Sequence, residues 1–136
     1  MTVLDTNAIV RLLTNDDPTQ TKKVRLLLEQ DRVFRIPTTV LLEVGWVLES
    51  IYEIPPRRIA AGLKSLLGLP AVDTDAPHRV ANALAWYLDG MDIGDAFHLS
   101  FCTPEDEIAT FDRSFASFVN QNTPYVAIDL NENIDD

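Results

Sequence analysis

The chain opens Met1-Thr2-Val3-Leu4-Asp5-Thr6-Asn7-Ala8-Ile9-Val10-Arg11-Leu12-Leu13. Thr2 to Leu4 reads as a short strand, and Ile9, Val10, Leu12 and Leu13 give the next residues the spacing of a short apolar helix. Asp5 stands at the joint. A strand that passes directly into a helix is the unit from which parallel sheets are built, and ligands gather at the carboxyl edge of such sheets. Asp5 serves there either as a helix N-cap or as a functional acid, because helix amide groups favour an anion in both roles.

The same alternation continues outward from this segment. Asp17-Pro18 predicts a capped helix to about Gln30, and Val33 to Ile36 a second strand. Pro37-Thr38-Thr39 reads as the cap of a helix from Val40 to about Ile51, and Pro55-Pro56 opens another that Gly68 ends. After Ala71-Val72, Asp75 with Pro77 starts a helix to about Leu88, stopped by Gly90. Asp92 caps the next, which ends before Pro104; Glu107 to Phe111 and Tyr125 to Ile128 are further strands. The fold class is α/β, with a parallel sheet covered on both faces.

A length of 136 residues fits a single domain spanning 1–136, with 46% hydrophobic and 24% charged residues as in ordinary globular chains. The acidic tail from Asn131 to Asp136 is expected to fray. The start lacks a basic stretch and a long apolar run, so no signal peptide is expected. The longest apolar run, Val40 to Leu48, is interrupted by Glu43 and Gly45 and is too short to span a membrane. Cys102 is the only cysteine, which excludes an internal disulfide and fits a reducing cytoplasm. It reads as a small buried hydrophobe. The net charge of −10 argues against contact with nucleic acid. Basic residues are nevertheless grouped, Lys22, Lys23 and Arg25 in one segment and Arg57, Arg58 and Lys64 in another, and bound cations would offset part of the negative charge.

Four acids stand out by position. Glu43 has Thr39, Val40, Trp46 and Val47 as its helical neighbours, an apolar setting in which a carboxylate needs a compensating cation. Either Arg11 or a metal ion could provide it. Asp92 and Asp95 lie three apart at a helix start; Asp92 suffices as the cap, which leaves Asp95 as the functional candidate. His98, one turn on, reads as structural. Asp112 follows the strand Glu107 to Phe111 and shares the address of Asp5 at a carboxyl edge. Two carboxylates about 4 Å apart repel by about 4 kcal/mol at the effective dielectric of a partly exposed site, so such a cluster needs protons or cations. All-oxygen ligands select hard ions such as Mg2+ or Mn2+. In-line displacement at phosphorus suits that chemistry.

Leu4-Asp5-Thr6-Asn7, Glu43 in its apolar helix, Asp95-Ala96 and Thr110-Phe111-Asp112, in this order, resemble the PIN-domain ribonucleases. Within them the chain is most similar to the VapC toxins of toxin–antitoxin pairs, through the opening Met-x-x-Leu-Asp-Thr-Asn, Arg11-Leu12-Leu13 and Asp16-Asp17-Pro18. The resemblance implies an α/β/α sandwich with a central parallel sheet and a Mg2+- or Mn2+-dependent endoribonuclease. It further implies a homodimer and a VapB-like antitoxin that blocks the site. Carried over, Asp5, Glu43, Asp95 and Asp112 are the site acids, with Asp5 and Asp95 as metal ligands. Thr6 and Asn7 support the first acid and Thr110 the fourth. The segment His98 to Pro104 and the acidic Glu105-Asp106-Glu107 depart from the family's pattern.

An aspartate-nucleophile phosphatase also places an acid after its first strand, but it needs a second Asp where this chain has Asn7. A glycine-rich phosphate loop is absent from the sequence. The remaining alternative is a catalytically inactive PIN-like module that acts by binding an antitoxin partner.

Overall fold

The computed structural model describes residues 1–132 and 134; of the acidic tail, Asn133, Asp135 and Asp136 lie outside the described residues. In chain order the elements are β1 (Thr2–Val3), α1 (Thr6–Thr14), α2 (Pro18–Leu28), β2 (Phe34–Arg35), α3 (Thr38–Ser50), α4 (Pro56–Leu67), β3 (Val72–Asp73), α5 (Pro77–Leu88), α6 (Ile93–Ser100), β4 (Glu107–Thr110), α7 (Arg113–Asn122) and β5 (Val126–Asp129). Each follows from a local signal. Asp17 caps α2 by accepting from Gln20 N, with Pro18 in the first turn, and α4 opens on Pro56 and closes at Gly68. Gly90 adopts φ 106°, a left-handed conformation that lets α5 turn sharply into α6.

All strand pairs are parallel, as the alternation required. They form a three-stranded piece in the order β1-β2-β3 and a two-stranded piece, β4-β5, instead of one continuous ladder. In the first piece Phe34 and Val72 face the core, while the row Val3, Arg35 and Asp73 points the other way. Val3 is 60% exposed there and Asp73 is exposed, whereas Arg35 is half-buried; the helices and parallel strands together form the expected α/β class.

Two expectations about helix starts are corrected. Thr38 and Thr39 do not cap a helix at Val40; α3 already begins at Thr38 and has no side-chain cap of its own. Asp75 does not cap α5, which starts at Pro77 after Ala76. Asp75 Oδ1 instead accepts from Thr38 N at 2.8 Å and Thr38 Oγ1 at 2.7 Å. A carboxylate from the β3–α5 connection thus serves the orphan amide of a distant helix. The Thr38 hydroxyl and amide hold the Asp75 carboxyl below its ordinary range.

Helix α3 packs against α1, α4 and α6, and its fully buried Leu41 and Val44 join Phe34, Ile36, Leu63, Ile93 and Leu99 in the core. Gly45 allows the approach to α6, because a β-carbon at that position would collide with Cδ1 of Ile93. Ile93 is 1% exposed and has little room to turn away. A glycine-to-alanine change gains about 1 kcal/mol in helix propensity, whereas overpacking a core costs about 1–3 kcal/mol. Gly45→Ala is therefore expected to destabilise the chain by about 1 kcal/mol in chemical denaturation. In an Ile93→Val background, which removes the colliding atom, the same change is expected to become neutral or stabilising. Equal effects in both backgrounds would disprove the contact.

Candidate active site

The acids enter the site through helix starts. Asp5 caps α1, its Oδ1 accepting from Ala8 N at 3.1 Å. Asp92 caps α6 by accepting from Asp95 N at 3.1 Å, and Asp112 caps α7 by accepting from Phe115 N at 3.0 Å. Asp112 is itself oriented by Thr110, whose Oγ1 accepts from the Asp112 amide at 3.0 Å. Each cap occupies one carboxylate oxygen in these bonds. The second oxygen remains for another partner.

Asp95 sits in the first turn of α6 and is half-buried. Burial raises its pKa, and the charges of Asp92 and Asp112 raise it further, with His98 opposing. Asp89, Asp92, Asp95 and Asp112 line one cavity of about 310 Å³, closed on one side by Phe115 and Phe118. Glu43 lies in a second cavity, of about 440 Å³, with Thr39, Leu42, Trp46 and Gly94. Asp92 lines both cavities and joins them. The structure therefore brings Asp95 and Asp112 together and sets Glu43 across Asp92 from them.

Asp5 lines neither of these cavities. It shares the carboxyl-edge address of Asp112, and β1 and β4 belong to separate ladder pieces. Glu43 also differs from its reading in the sequence. It is exposed, as is Trp46 at 54%, because the face of α3 that carries them turns away from the core. Arg11 is not its partner; the guanidinium pairs with Asp16 at 3.2 Å and donates to Gln20 at 2.7 Å. Burial no longer argues for a cation at Glu43, and its place opposite Asp92 is the remaining argument. His98 is exposed, and Cys102, half-buried where the sequence suggested full burial, donates weakly from its thiol to the His98 carbonyl at 3.7 Å.

Sequence reasoning passed over Asp89 and understated Asp92. The spacing Asp89, Asp92, Asp95 was a usable signal, three acids at three-residue intervals around Gly90. Hard oxygen donors with surplus charge fit a divalent cation in kind. As placed, no group of three or more His, Cys, Asp or Glu among the described residues is assembled to hold a metal ion. What favours a cation here is the charge carried by Asp92, Asp95 and Asp112 and the absence of an ion pair to any of them among the described residues.

A family model described as PIN domain matches residues 2–120. PIN domains are generally nucleases, and such nucleases typically use divalent metals. No curated protein matches the chain significantly. No helix among the described residues is long and apolar enough to cross a membrane.

The raised pKa of Asp95 has a definite consequence for stability. A carboxyl that holds its proton more tightly when folded contributes stability that is fully present below the unfolded value, about 3.9, and is lost as pH rises through the folded value. Asp95→Asn, which cannot ionise, is therefore expected to melt above the parent chain at neutral pH in EDTA. The gap should close toward pH 4 and below. A difference in Tm that does not change with pH would remove the electrostatic account of this residue.

Proposed function

Because this chain belongs to the PIN-domain family, we propose that it is a divalent-metal-dependent endoribonuclease and the toxin of a VapBC-type pair. The observation that supports this most directly is the cavity in which Asp92 and Asp112 press on the half-buried Asp95. The metal, Mg2+ or Mn2+ in this reading, would activate water and offset charge on the leaving oxygen. Asp95 and Asp5 would hold it, each through an oxygen that the helix starts leave free. Asp112, fixed by Thr110 and by the α7 amide of Phe115, would orient water, and Glu43 would complete the site from across Asp92.

The remaining parts of the proposal follow the family resemblance. Residues 1–136 form a single PIN domain in the cytoplasm, where the lone Cys102 stays reduced. A VapB-like antitoxin inhibits by placing an Arg or Lys among the acids, a charge substitution that the open acidic cavity admits. A homodimer is supported by the exposed Trp46; Trp86 does not contribute, because it packs edge-on against Tyr125 with ring centroids 5.9 Å apart.

The alternative of an inactive binding module is favoured by one observation: among the described residues no group of three or more His, Cys, Asp or Glu is assembled to hold a metal ion. RNA cleavage decides between the two. With millimolar Mg2+ or Mn2+, the parent chain is expected to cut single-stranded RNA, and its Tm should rise as the ion binds the folded state. Asp5→Asn and Asp95→Asn should each lower cleavage at least a hundredfold, equivalent to about 2.7 kcal/mol of transition-state stabilisation. Being exposed and unpaired among the described residues, Glu43 should tolerate replacement by Gln with a metal-free stability change within about 0.5 kcal/mol, while cleavage falls. Full activity in both aspartate variants, in preparations free of contaminating nuclease, would exclude the proposed chemistry.

A further inference from the structure

A cavity of about 470 Å³ lies between α4 and α5 beside the edge strand β3 and shares no lining residue with the two cavities of the candidate site. A neighbouring cavity of about 450 Å³ continues between the same helices, and Lys64 lines both. Gly68 at the end of α4 meets Pro77 at the start of α5, whereas Pro56 at the start of α4 meets Leu88 at the end of α5. The helices therefore run antiparallel, and the groove follows α4 for about 18 Å at about 1.5 Å per residue.

Aliphatic side chains form its floor, Val80 and Leu84 within and Leu88 at one end, and the small Ala61 and Ala81 leave it open. Arg57 and Lys64 stand two helical turns apart along one wall, and neither is in an ion pair among the described residues. Asp73 lines the inner end.

Three kinds of occupant can be compared. A strand added to β3 would need outward amide donors, but Val72 N already donates to Leu69 O at 3.0 Å and Thr74 N to Asp73 Oδ1 at 2.8 Å. Single-stranded RNA would need stacking platforms, and no aromatic side chain lines the groove. A second copy packed face to face would set like-charged helices against each other, because neither α4 nor α5 contains an Asp or Glu and Asp73, at the inner end, is the single acid lining the groove among the described residues.

We propose that the α4–α5 groove docks an amphipathic helix of a partner protein, with aliphatic side chains filling the cavities and acidic side chains seven residues apart meeting Arg57 and Lys64. The occupant's chemistry follows from the wall: apolar depth selects an aliphatic helix face, and the unpaired cations select acidic flanks. Its direction also matters. The groove ends at Leu88, and the next residue, Asp89, lines the acidic cavity, so the end of the docked helix lies beside the candidate active site. The inference does not depend on nuclease activity.

The test uses the full chain, isotope-labelled for NMR, in EDTA. The probe is a stapled helical peptide of about fifteen residues, with leucines on one face and two glutamates seven apart. Saturable shifts are expected at Ala61, Lys64, Ala81 and Leu88. The double change Arg57→Glu and Lys64→Glu should weaken binding at least tenfold and should favour a lysine version of the peptide in its place. Ala81→Leu, which fills the cavity, should exclude both peptides. Absence of shifts on α4 and α5, or equal affinity for the glutamate and lysine peptides, would overturn the proposal. So would shifts at these residues produced only by a single-stranded RNA oligonucleotide, or by rising protein concentration without peptide, which would mark a second copy as the occupant.

Discussion

The first amide groups of every helix lack partners within the helix, and in this chain aspartates supply many of them. Asp5, Asp92 and Asp112 each accept one such amide hydrogen bond, at 3.1, 3.1 and 3.0 Å. This constraint starts α1, α6 and α7 and places negative charge beside their positive ends. A helix terminus favours a nearby carboxylate by about 0.3–1 kcal/mol, while two carboxylates at about 4 Å repel by about 4 kcal/mol. The caps therefore hold single acids comfortably but cannot by themselves hold several in contact. Several carboxylates in contact would need a cation to offset their repulsion, and no group of three is assembled among the described residues. Asp95, whose carboxylate accepts no hydrogen bond among the described residues, takes the electrostatic load, and its pKa rises.

A second constraint sets what faces the caps. The start of α3 is tied by Asp75, and its middle is drawn onto α6 at Gly45, where Ile93 fills the space a β-carbon would need. These two contacts fix the rotation of α3. Leu41, Val44 and Leu48 are thereby turned inward, and Thr39, Glu43 and Trp46 toward Asp92 and solvent. The carboxylate of Glu43 thus owes its place to packing on the opposite side of its helix.

Local signals in the sequence were strong where one residue and its near neighbours decide the outcome. Asp17-Pro18, Pro55-Pro56, Gly68 and the Asp92 cap all fell where the structure has them, and parallel pairing followed from the alternation of elements. Long-range partners were not legible. Thr38 read as a capping residue because its hydroxyl suits that role, yet it donates to Asp75, 37 residues away. Glu43 read as buried because its neighbours are apolar, but α3 is broad enough in apolar residues to bury one face and expose another. Arg11 was available to Glu43 in sequence terms and was taken by Asp16 and Gln20 at the α1–α2 corner. Of the site, the caps and Asp95 were readable, whereas the role of Asp92 in joining two cavities depends on tertiary placement alone.

The charge distribution completes the argument about substrate. With a net charge of −10, the chain as a whole repels a polyanion, so affinity for RNA has to come from a few local cations. Several of the basic residues are committed elsewhere: Arg11 to Asp16, Arg32 to Thr2, and Arg79 to the Ser100 carbonyl and the ring of Phe101. If the α4 cations serve a partner helix, Lys22, Lys23 and Arg25 on the exposed side of α2 form a remaining group for phosphate contacts, with the exposed Arg113 beside Asp112 as a further cation. Three such contacts to a single strand would give a salt dependence with a slope of only about −2, far below that of proteins that grip nucleic acid through many phosphates. Choice of substrate by such a protein would rest on RNA shape near the acids and on charge offset by bound cations, with little help from general electrostatic attraction. Under the proposed function the same acidic surface, repulsive to RNA, would attract a basic inhibitory side chain, so one charge pattern would disfavour loose substrate binding and favour control by a partner.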